Sequence, residues 1–250
     1  MGKLKSKLRR IVGLFGLYRR SRILTFFVDH TREAHRLRTK PQEAADEAHL
    51  SRAWNFDNPI ERKWQSHVLS TLQSLEGETP WGDALEIGCS EGVFTLELAQ
   101  RCRSVTAFDI SPVAAERAAE RCGAYSNVRI EQLDAATEEI QGQYDLVFVM
   151  DILWLVVGRA RKASIISKLA HALRDGGLLV FSDSRMPKGI RHRFWNLFFP
   201  SGADEWAKLL EDVPSLSAIH KEIYPPAGQS IPGWWDKLFV LYRKVPATEK

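Results

Sequence analysis

The stretch Ala84–Thr95, which reads Ala-Leu-Glu-Ile-Gly-Cys-Ser-Glu-Gly-Val-Phe-Thr, decides the fold. Its first four residues are mostly apolar and predict a strand that ends at Gly88, and the apolar residues from Val93 onward recur at helical spacing. Glycine is used where the backbone takes positive φ or where a ligand lies against the main chain. The order strand, glycine turn, helix therefore predicts the opening unit of a nucleotide-binding α/β sheet.

The residues of the turn indicate which nucleotide it accepts. A dinucleotide site uses Gly-x-Gly-x-x-Gly, so that bare amides at the helix N-terminus face a pyrophosphate. Here Ser90 holds the middle position, the third glycine is missing, and Glu91 at the helix start would repel a phosphate. The turn favours a nucleoside without phosphates, such as S-adenosylmethionine. Glu86, just before the turn, is placed to accept a hydrogen bond from the ammonium group of that ligand.

A second strand ends in an acidic residue. Residues 104–108 are mostly apolar and lead into Asp109 and Ile110. An acid at the carboxyl end of the second strand reads the ribose hydroxyls in such folds, because one carboxylate can accept from both. The alternative interpretation is that Gly88 and Gly92 only make a tight turn, while Asp109 caps the helix that follows.

The spacing Glu86-x-Gly88-x-x-x-Gly92, followed by Asp109, resembles the motifs of class I S-adenosylmethionine-dependent methyltransferases. This resemblance implies a doubly wound, seven-stranded Rossmann-like α/β sheet of order 3-2-1-4-5-7-6 with the last strand antiparallel. It also implies an acid after the third strand, Asp134, that receives the adenine amino group. The cofactor-binding residues expected from the turn and the strand ends are Glu86, Gly88, Cys89, Ser90, Gly92, Asp109, Ile110, Asp134, Ala135 and Met150.

The segment before the first strand resembles the nodulation protein S group of small-molecule N-methyltransferases. The matching residues are Trp54 and the helical stretch Glu61-Arg62-Lys63. The resemblance implies that Trp54 and Lys63 help to cover the cofactor. The alternative is that Trp54 and Trp64 only anchor a helix on the core.

Methyl transfer needs a base only if the acceptor must lose a proton at or before attack. Asp151 is one candidate, since it follows the apolar run of the fourth strand, Tyr144–Met150; its alternative role is to cap the next helix. His192 is a second candidate, within the aromatic and basic segment 183–206, where this family inserts its acceptor-binding element. The sequence after Asp151 departs from the Glu-x-Leu-Tyr-Tyr pattern of the nodulation group, so both nitrogen and oxygen acceptors stay open.

Length and charge predict two parts. A chain of 250 residues suits one α/β domain with an appendage. Residues 1–40 contain twelve Lys and Arg against two acids, a charge of +10, which leaves −6 for the rest of a chain whose total is +4. We expect a basic helical extension over residues 1–50 and a methyltransferase domain over 51–250. The acidic body does not predict nucleic-acid binding.

The basic extension has three interpretations: helices packed on the domain, a disordered arm, or an amphipathic helix on an anionic membrane surface. The three cysteines are odd in number and lack metal-ligand spacing, so we expect reduced thiols, a cytoplasmic protein and no metal. The arginines and tryptophans of segment 183–206 favour a small or glycan-like acceptor. Two other functions stay open: a binding protein without activity and a nicotinamide-dependent oxidoreductase.

Overall fold

The computed structural model describes residues 35–51, 57–185, 202–229, 231 and 236–246. These residues form a seven-stranded sheet whose strand order is β3-β2-β1-β4-β5-β7-β6. Strands β1 to β5 run parallel to one another, and β7 runs antiparallel to both β5 and β6, which confirms the predicted topology. The strands are β1 (Trp81–Ile87), β2 (Cys102–Asp109), β3 (Val128–Gln132), β4 (Tyr144–Met150), β5 (Leu173–Ser184), β6 (Leu216–Tyr224) and β7 (Lys237–Lys244).

Helices cover both faces of this sheet. Each face buries its own apolar layer, because successive strand residues point to opposite sides: Val147 and Val149 pack on one, Leu146 and Phe148 on the other. None of the described helices is both long and apolar enough to cross a membrane. The helices are α1 (Pro41–Leu50), α2 (Pro59–Glu76), α3 (Val93–Ala99), α4 (Pro112–Cys122), α5 (Arg159–Ala172) and α6 (Ala203–Glu211), with a short 3-10 turn at Leu153–Leu155.

Local sequence signals fix the starts of two helices near the site. Asn58 precedes α2, and its side chain accepts hydrogen bonds from the backbone amides of Ile60 and Glu61. Ser111 precedes α4 and accepts from the amide of Ala114. Both helices have proline in the first turn, where the missing N–H has no helical partner to lose.

The register of the central strands brings the predicted site residues to one edge. Ile87 of β1 lies beside Phe108 of β2 and Val149 of β4. The residues that follow these three positions, Gly88, Asp109 and Met150, therefore leave the sheet side by side. This edge carries the candidate site, as the rule for open α/β sheets predicts.

Strand β5 is longer than the sequence predicts. The apolar run Leu178–Phe181, preceded by two glycines, predicts a strand that begins at Leu178, but β5 begins at Leu173 and contains Gly176 and Gly177. Between the pairs Tyr144–Leu173 and Leu146–Leu178, β5 advances five residues while β4 advances two, so the glycines form a bulge. Gly176 has a φ of +79°, a backbone conformation that favours glycine because glycine has no Cβ.

Candidate functional site

The glycine turn between β1 and α3 is fixed to the end of β2. The amides of Gly88 and Cys89 both donate to the carbonyl of Phe108, at 2.7 and 2.9 Å. Three residues of the turn take positive φ: +78° at Gly88, +50° at Ser90 and +76° at Gly92. The turn is thus a rigid, left-handed bend whose amides and carbonyls lie at the edge of the sheet.

Packing also requires both glycines. A Cβ on Gly92 would lie 3.0 Å from the Cα of Ala118 in α4, and a Cβ on Gly88 would lie 2.3 Å from the Cγ2 of Ile152. The tight-turn interpretation of these glycines is therefore correct as a structural statement, and the predicted role beside a ligand stays a prediction. Gly92 lets α3 approach α4, which follows the acidic end of β2.

Asp109 connects the turn to the start of α4. One carboxylate oxygen accepts from the amide of Ser90 at 2.8 Å, and the other accepts from the amide of Ser111 at 2.9 Å. Burial raises the pKa of Asp109, while the hydrogen bonds from Ser111 and Ser90 act in the opposite direction. Each carboxylate oxygen can accept more than one hydrogen bond, so these contacts leave acceptor capacity for ribose hydroxyls.

Glu86 is a buried acid at the end of β1. Its Oε2 accepts from the hydroxyl of Thr95 in α3 at 2.7 Å. Burial raises the pKa of Glu86 to about 7, and the nearby charge of Asp109 also raises it, against the effect of the Thr95 hydrogen bond. No cation among the described residues pairs with it. A buried carboxylate without a cation fits a ligand that supplies an ammonium group.

Helix α1 reaches this site through contacts that the sequence did not predict. The hydroxyl of Ser111 donates to Asp46 of α1, and Arg117 of α4 donates to the carbonyl of His49 at 3.0 Å. Arg117 also pairs with Glu91 at 2.6 Å. The stretch Pro41–Leu50 is acidic and helix-prone, which predicts a connecting segment, and no local signal in it specifies a partner. The structure packs it against α4, beside Asp109.

His49 of α1 is buried close to the acids of the turn. Burial lowers the pKa of His49, although Asp109 and Glu91 act in the opposite direction. The charge of Glu91, which at the start of a helix would repel a phosphate, is compensated by Arg117. Glu91 and Arg117 therefore form a charge-matched pair, and Arg117 also connects this pair to the carbonyl of His49.

The loop after β3 carries Asp134 and Ala135. Both carboxylate oxygens of Asp134 accept from Arg161 of α5, at 3.0 and 2.9 Å, and one also accepts from the amide of Ala136. Ala135 is buried. The amide of Leu133 donates to the carbonyl of Asp109, which brings the loop next to the end of β2. Arg161 holds the Asp134 carboxylate in place, a contact that its sequence position did not reveal.

The remaining predicted residues of the turn and strand ends are apolar or sulfur-containing. Ile110 and Met150 are partly buried, and Met150 packs against the apolar layer that contains Phe148. Cys89 is buried, and burial raises the pKa of its thiol. A thiol in this state is a poor nucleophile, which agrees with its role as a small residue that fits the turn.

Asp151 lies at the edge, as predicted, but with partners that we did not anticipate. It has a φ of +58°, and its Oδ2 accepts from Lys237 of β7 at 2.5 Å. Lys237 also pairs with Glu61 of α2 at 3.0 Å. Gly158 is the residue that precedes helix α5, so Asp151 does not cap that helix. Its position at the strand end is compatible with the predicted role as a base.

The three remaining predicted site residues are Trp54, Lys63 and His192. Trp54 and His192 lie outside the described residues. Lys63 is exposed on α2, whereas Trp64 of the same helix is fully buried and contacts Tyr224 and Phe239 of β6 and β7. Within the described ranges, no group of three His, Cys, Asp or Glu residues is arranged to hold a metal ion.

Comparison with known proteins identifies the family. The model of the nodulation protein S (NodS) family matches residues 35–219. Nodulation protein S of Rhizobium tropici is 32% identical over 133 residues, which cover 53% of this chain and 55% of that protein. Trans-aconitate 2-methyltransferase of Deinococcus radiodurans is 32% identical over 127 residues, 50% of this chain and 47% of that protein. The chain thus aligns with about half the length of these relatives.

A solved structure extends the match to the fold. The N-methyltransferase NodS from Bradyrhizobium japonicum WM9, in complex with S-adenosyl-L-homocysteine, is 26% identical, with a TM-score of 0.65. The match covers 78% of this chain and 92% of that one. These relatives favour methyl transfer over the two alternative functions. The chain belongs to the nodulation protein S family, and its fold and cofactor class are those of the class I S-adenosylmethionine-dependent methyltransferases.

Proposed function

We propose that this protein transfers the methyl group of S-adenosylmethionine to a nitrogen of a small or glycan-like acceptor. The observation that carries the proposal is Glu86: a buried carboxylate with no cation paired to it in the described part of the chain, beside a rigid glycine turn and one strand away from Asp109. This arrangement suits a ligand that has an ammonium group, a ribose and no phosphate.

In this proposal each group of the turn has one task. Glu86 accepts from the ammonium of the methionine moiety, and Asp109 accepts from the ribose hydroxyls. The adenine lies beside Asp134 and Ala135, while Gly88, Cys89, Ser90 and Gly92 form the floor of the site, with Ile110 and Met150 at its sides. Trp54 and Lys63 stay proposals as covering residues, of which Lys63 is exposed on α2.

S-adenosylmethionine supplies a methyl group that is activated by the positive charge of its sulfur. The protein's contribution to such a displacement is alignment of the acceptor and exclusion of water. Asp151 is our candidate for the base that removes the acceptor's proton, since it lies at the end of β4 next to Met150. His192 is a second candidate from the sequence.

Nitrogen is favoured because the structural relative named above is called an N-methyltransferase. Oxygen remains the alternative, because a ubiquinone biosynthesis O-methyltransferase of Bordetella avium is 28% identical over 158 residues. The proposal of a glycan-like acceptor rests on the arginines and tryptophans of segment 183–206. We propose the division into residues 1–50 and 51–250, and a cytoplasmic location, on the sequence arguments given above.

Titration calorimetry with S-adenosylhomocysteine and with NADH tests the cofactor. We expect binding of S-adenosylhomocysteine alone, and binding of NADH alone would contradict the proposal. Methyl transfer is then followed by mass spectrometry with two acceptors of matched size, an amino-sugar oligosaccharide and its N-acetylated form. Methylation of the free amine, with no methylation of the N-acetylated form, supports transfer to nitrogen. Cofactor binding with no methylated product from amine or hydroxyl acceptors would favour a binding protein without activity.

The basic extension suggests contact with an anionic membrane surface, because short apolar runs alternate with cations over residues 1–28. Sedimentation with anionic and neutral vesicles tests this for the full chain and for a variant that lacks residues 1–34. Loss of the anionic-vesicle pellet on truncation supports the contact. An unchanged pellet would rule out this role for the extension.

A further inference from the structure

One face of helix α5 holds the loop that follows β3. Arg161, Ser164 and Lys168 are spaced three and four residues apart, so their side chains project from the same face of the helix. Ser164 donates to the carbonyl of Ala136 at 2.8 Å, and Lys168 donates to the carbonyl of Glu138 at 2.6 Å. The position of the loop therefore depends on α5.

Arg161 differs from the other two residues of this face because it contacts a side chain of the loop. Its Nη2 lies 3.0 Å from Asp134 Oδ1 and 2.9 Å from Asp134 Oδ2. The Arg161 side chain is 24% exposed, and the Asp134 side chain is 19% exposed. Because the pair is partly buried, water and salt screen it less than they screen a surface ion pair. Arg161 thus restrains the orientation of the carboxylate.

The hydrogen bonds of Asp134 leave one acceptor position. Oδ1 accepts from the amide of Ala136 at 2.9 Å as well as from Arg161, which uses both of its lone pairs. Among the described residues, Arg161 is the one donor to Oδ2, so a lone pair of that oxygen remains for a ligand. The backbone amide of Asp134 already donates to Glu138 at 2.8 Å. Asp134 therefore offers a ligand an acceptor and no donor.

We infer that Arg161 is a positioning residue that makes the nucleobase site select a purine with an exocyclic amino group. The inference rests on the proposed function, in which adenine lies beside Asp134. Arg161 can only donate hydrogen bonds, so it keeps both oxygens of Asp134 as acceptors in one orientation. An amino group donates to Oδ2. The oxo group of a 6-oxopurine would instead place a second acceptor against this oxygen, and neither would have a hydrogen-bond donor.

The structural alternative is that Asp134 only caps the turn that it begins. Its Oδ1 accepts from the amide two residues later, which is the usual contact of an aspartate in a turn. That role uses Oδ1 alone, whereas Arg161 reaches both oxygens. A turn cap affects the binding of every ligand at this loop equally, while an oriented acceptor distinguishes an amino group from an oxo group.

Titration calorimetry with S-adenosylhomocysteine and S-inosylhomocysteine measures this distinction, because the second ligand carries a 6-oxopurine. The wild-type protein should bind S-adenosylhomocysteine more tightly by about tenfold or more. In Arg161→Met the ratio of the two dissociation constants should fall by about fivefold or more, because the carboxylate is no longer held in one orientation.

Lys168→Met is the matched control on the same face of α5. This variant also removes a contact between the helix and the loop, but Asp134 keeps Arg161 as its partner. Both ligands should lose affinity together, so the ratio of their dissociation constants should stay within about twofold of the wild-type ratio.

Asp134→Asn provides a second and independent test. The amide of Ala136 and the guanidinium of Arg161 are both donors, so they favour the side-chain oxygen at the Oδ1 position and leave the side-chain nitrogen at the other. That nitrogen donates to an oxo group and cannot accept from an amino group. The variant should therefore prefer S-inosylhomocysteine.

A purely structural role for Arg161 predicts that Arg161→Met weakens the binding of both ligands by the same factor. That result, or wild-type protein that binds the two ligands equally well, would overturn the inference. If circular dichroism shows that Arg161→Met does not fold, Asp134→Asn decides it, and an unchanged preference for S-adenosylhomocysteine would count against the inference. Wild-type protein that binds neither ligand would instead refute the proposed function, which separates the two failures.

Discussion

At the scale of single residues, the site is built from acids placed where burial disfavours their charge. Glu86 has its pKa raised to about 7 chiefly by burial, and burial also raises the pKa of Asp109. In our proposal the ligand brings an ammonium group to Glu86 and ribose hydroxyls to Asp109.

Glu86 makes cofactor binding depend on pH. In the free protein about half of Glu86 is protonated near pH 7, and the ligand's ammonium requires the ionised form, so binding should release about half a proton there. We expect S-adenosylhomocysteine affinity to fall as pH drops from about 8 to 6. Calorimetry in buffers of different ionisation enthalpy measures the proton release. Glu86→Gln should bind more weakly and lose the pH dependence; a retained pH dependence would contradict the assignment.

Glu86 should also link stability to pH in the free protein. Its pKa rises from an ordinary 4.5 to about 7 on folding, so the stability contributed by the protonated form is complete below about pH 4.5 and is lost as pH rises through about 7. The melting temperature of Glu86→Gln, relative to that of wild type, should therefore be higher at about pH 8 than at about pH 5. Thermal denaturation at both values checks this. A constant difference would show that Glu86 titrates normally.

At the scale of elements, the glycine turn combines positive φ with close helix packing. Gly92→Ala should destabilise the protein by about 2 to 4 kcal/mol, because the left-handed conformation and the approach to Ala118 both become unfavourable. Gly176→Ala is the matched control, since Gly176 has a similar φ of +79° but nothing within 4 Å of an added Cβ. It should lose only about 1 to 2 kcal/mol.

Urea denaturation measures the free energy of unfolding that each variant loses. The difference between the two losses is the steric contribution at Gly92. Equal losses would mean that α3 moves freely away from α4, contrary to the tight packing described here.

Elements with local signals were predictable from the sequence, and their partners were not. Helix α4 (Pro112–Cys122) is an example, because alanines recur along it at helical spacing and Pro112 lies in its first turn. The bulge of β5 was not predicted, because a glycine pair such as Gly176-Gly177 occurs both in turns that precede a strand and in bulges within one. The contacts of Arg117 with α1 and of Lys237 with Asp151 span many residues. Such pairs depend on tertiary packing, which a single sequence does not encode in any local pattern.

At the scale of the whole molecule, the predicted division at residue 50 passes directly after a helix that touches the site. Helix α1 buries Ala44, Ala45 and His49 and contacts α4, and the family match begins at residue 35. The division itself stays a proposal. The charge pattern is consistent with separate tasks, a basic N-terminal region and an acidic catalytic body.

Two truncations test whether the basic N-terminal region and helix α1 contribute to cofactor binding. Removal of residues 1–34 should leave the S-adenosylhomocysteine affinity within about twofold, whereas removal of residues 1–50 should weaken it by about tenfold or more, because Asp46 and His49 are lost from beside Asp109. Calorimetry of both proteins provides the comparison, with circular dichroism to confirm folding. Equal affinities would show that α1 does not contribute to the cofactor site.

The most direct measurement of the central claim is a crystal structure of this protein with S-adenosylhomocysteine. We expect the ligand's ammonium within hydrogen-bonding distance of Glu86 and its ribose hydroxyls within hydrogen-bonding distance of Asp109, against the turn that contains Gly88 and Gly92. A ligand bound elsewhere, or one whose ammonium and ribose make no contact with these two carboxylates, would contradict it.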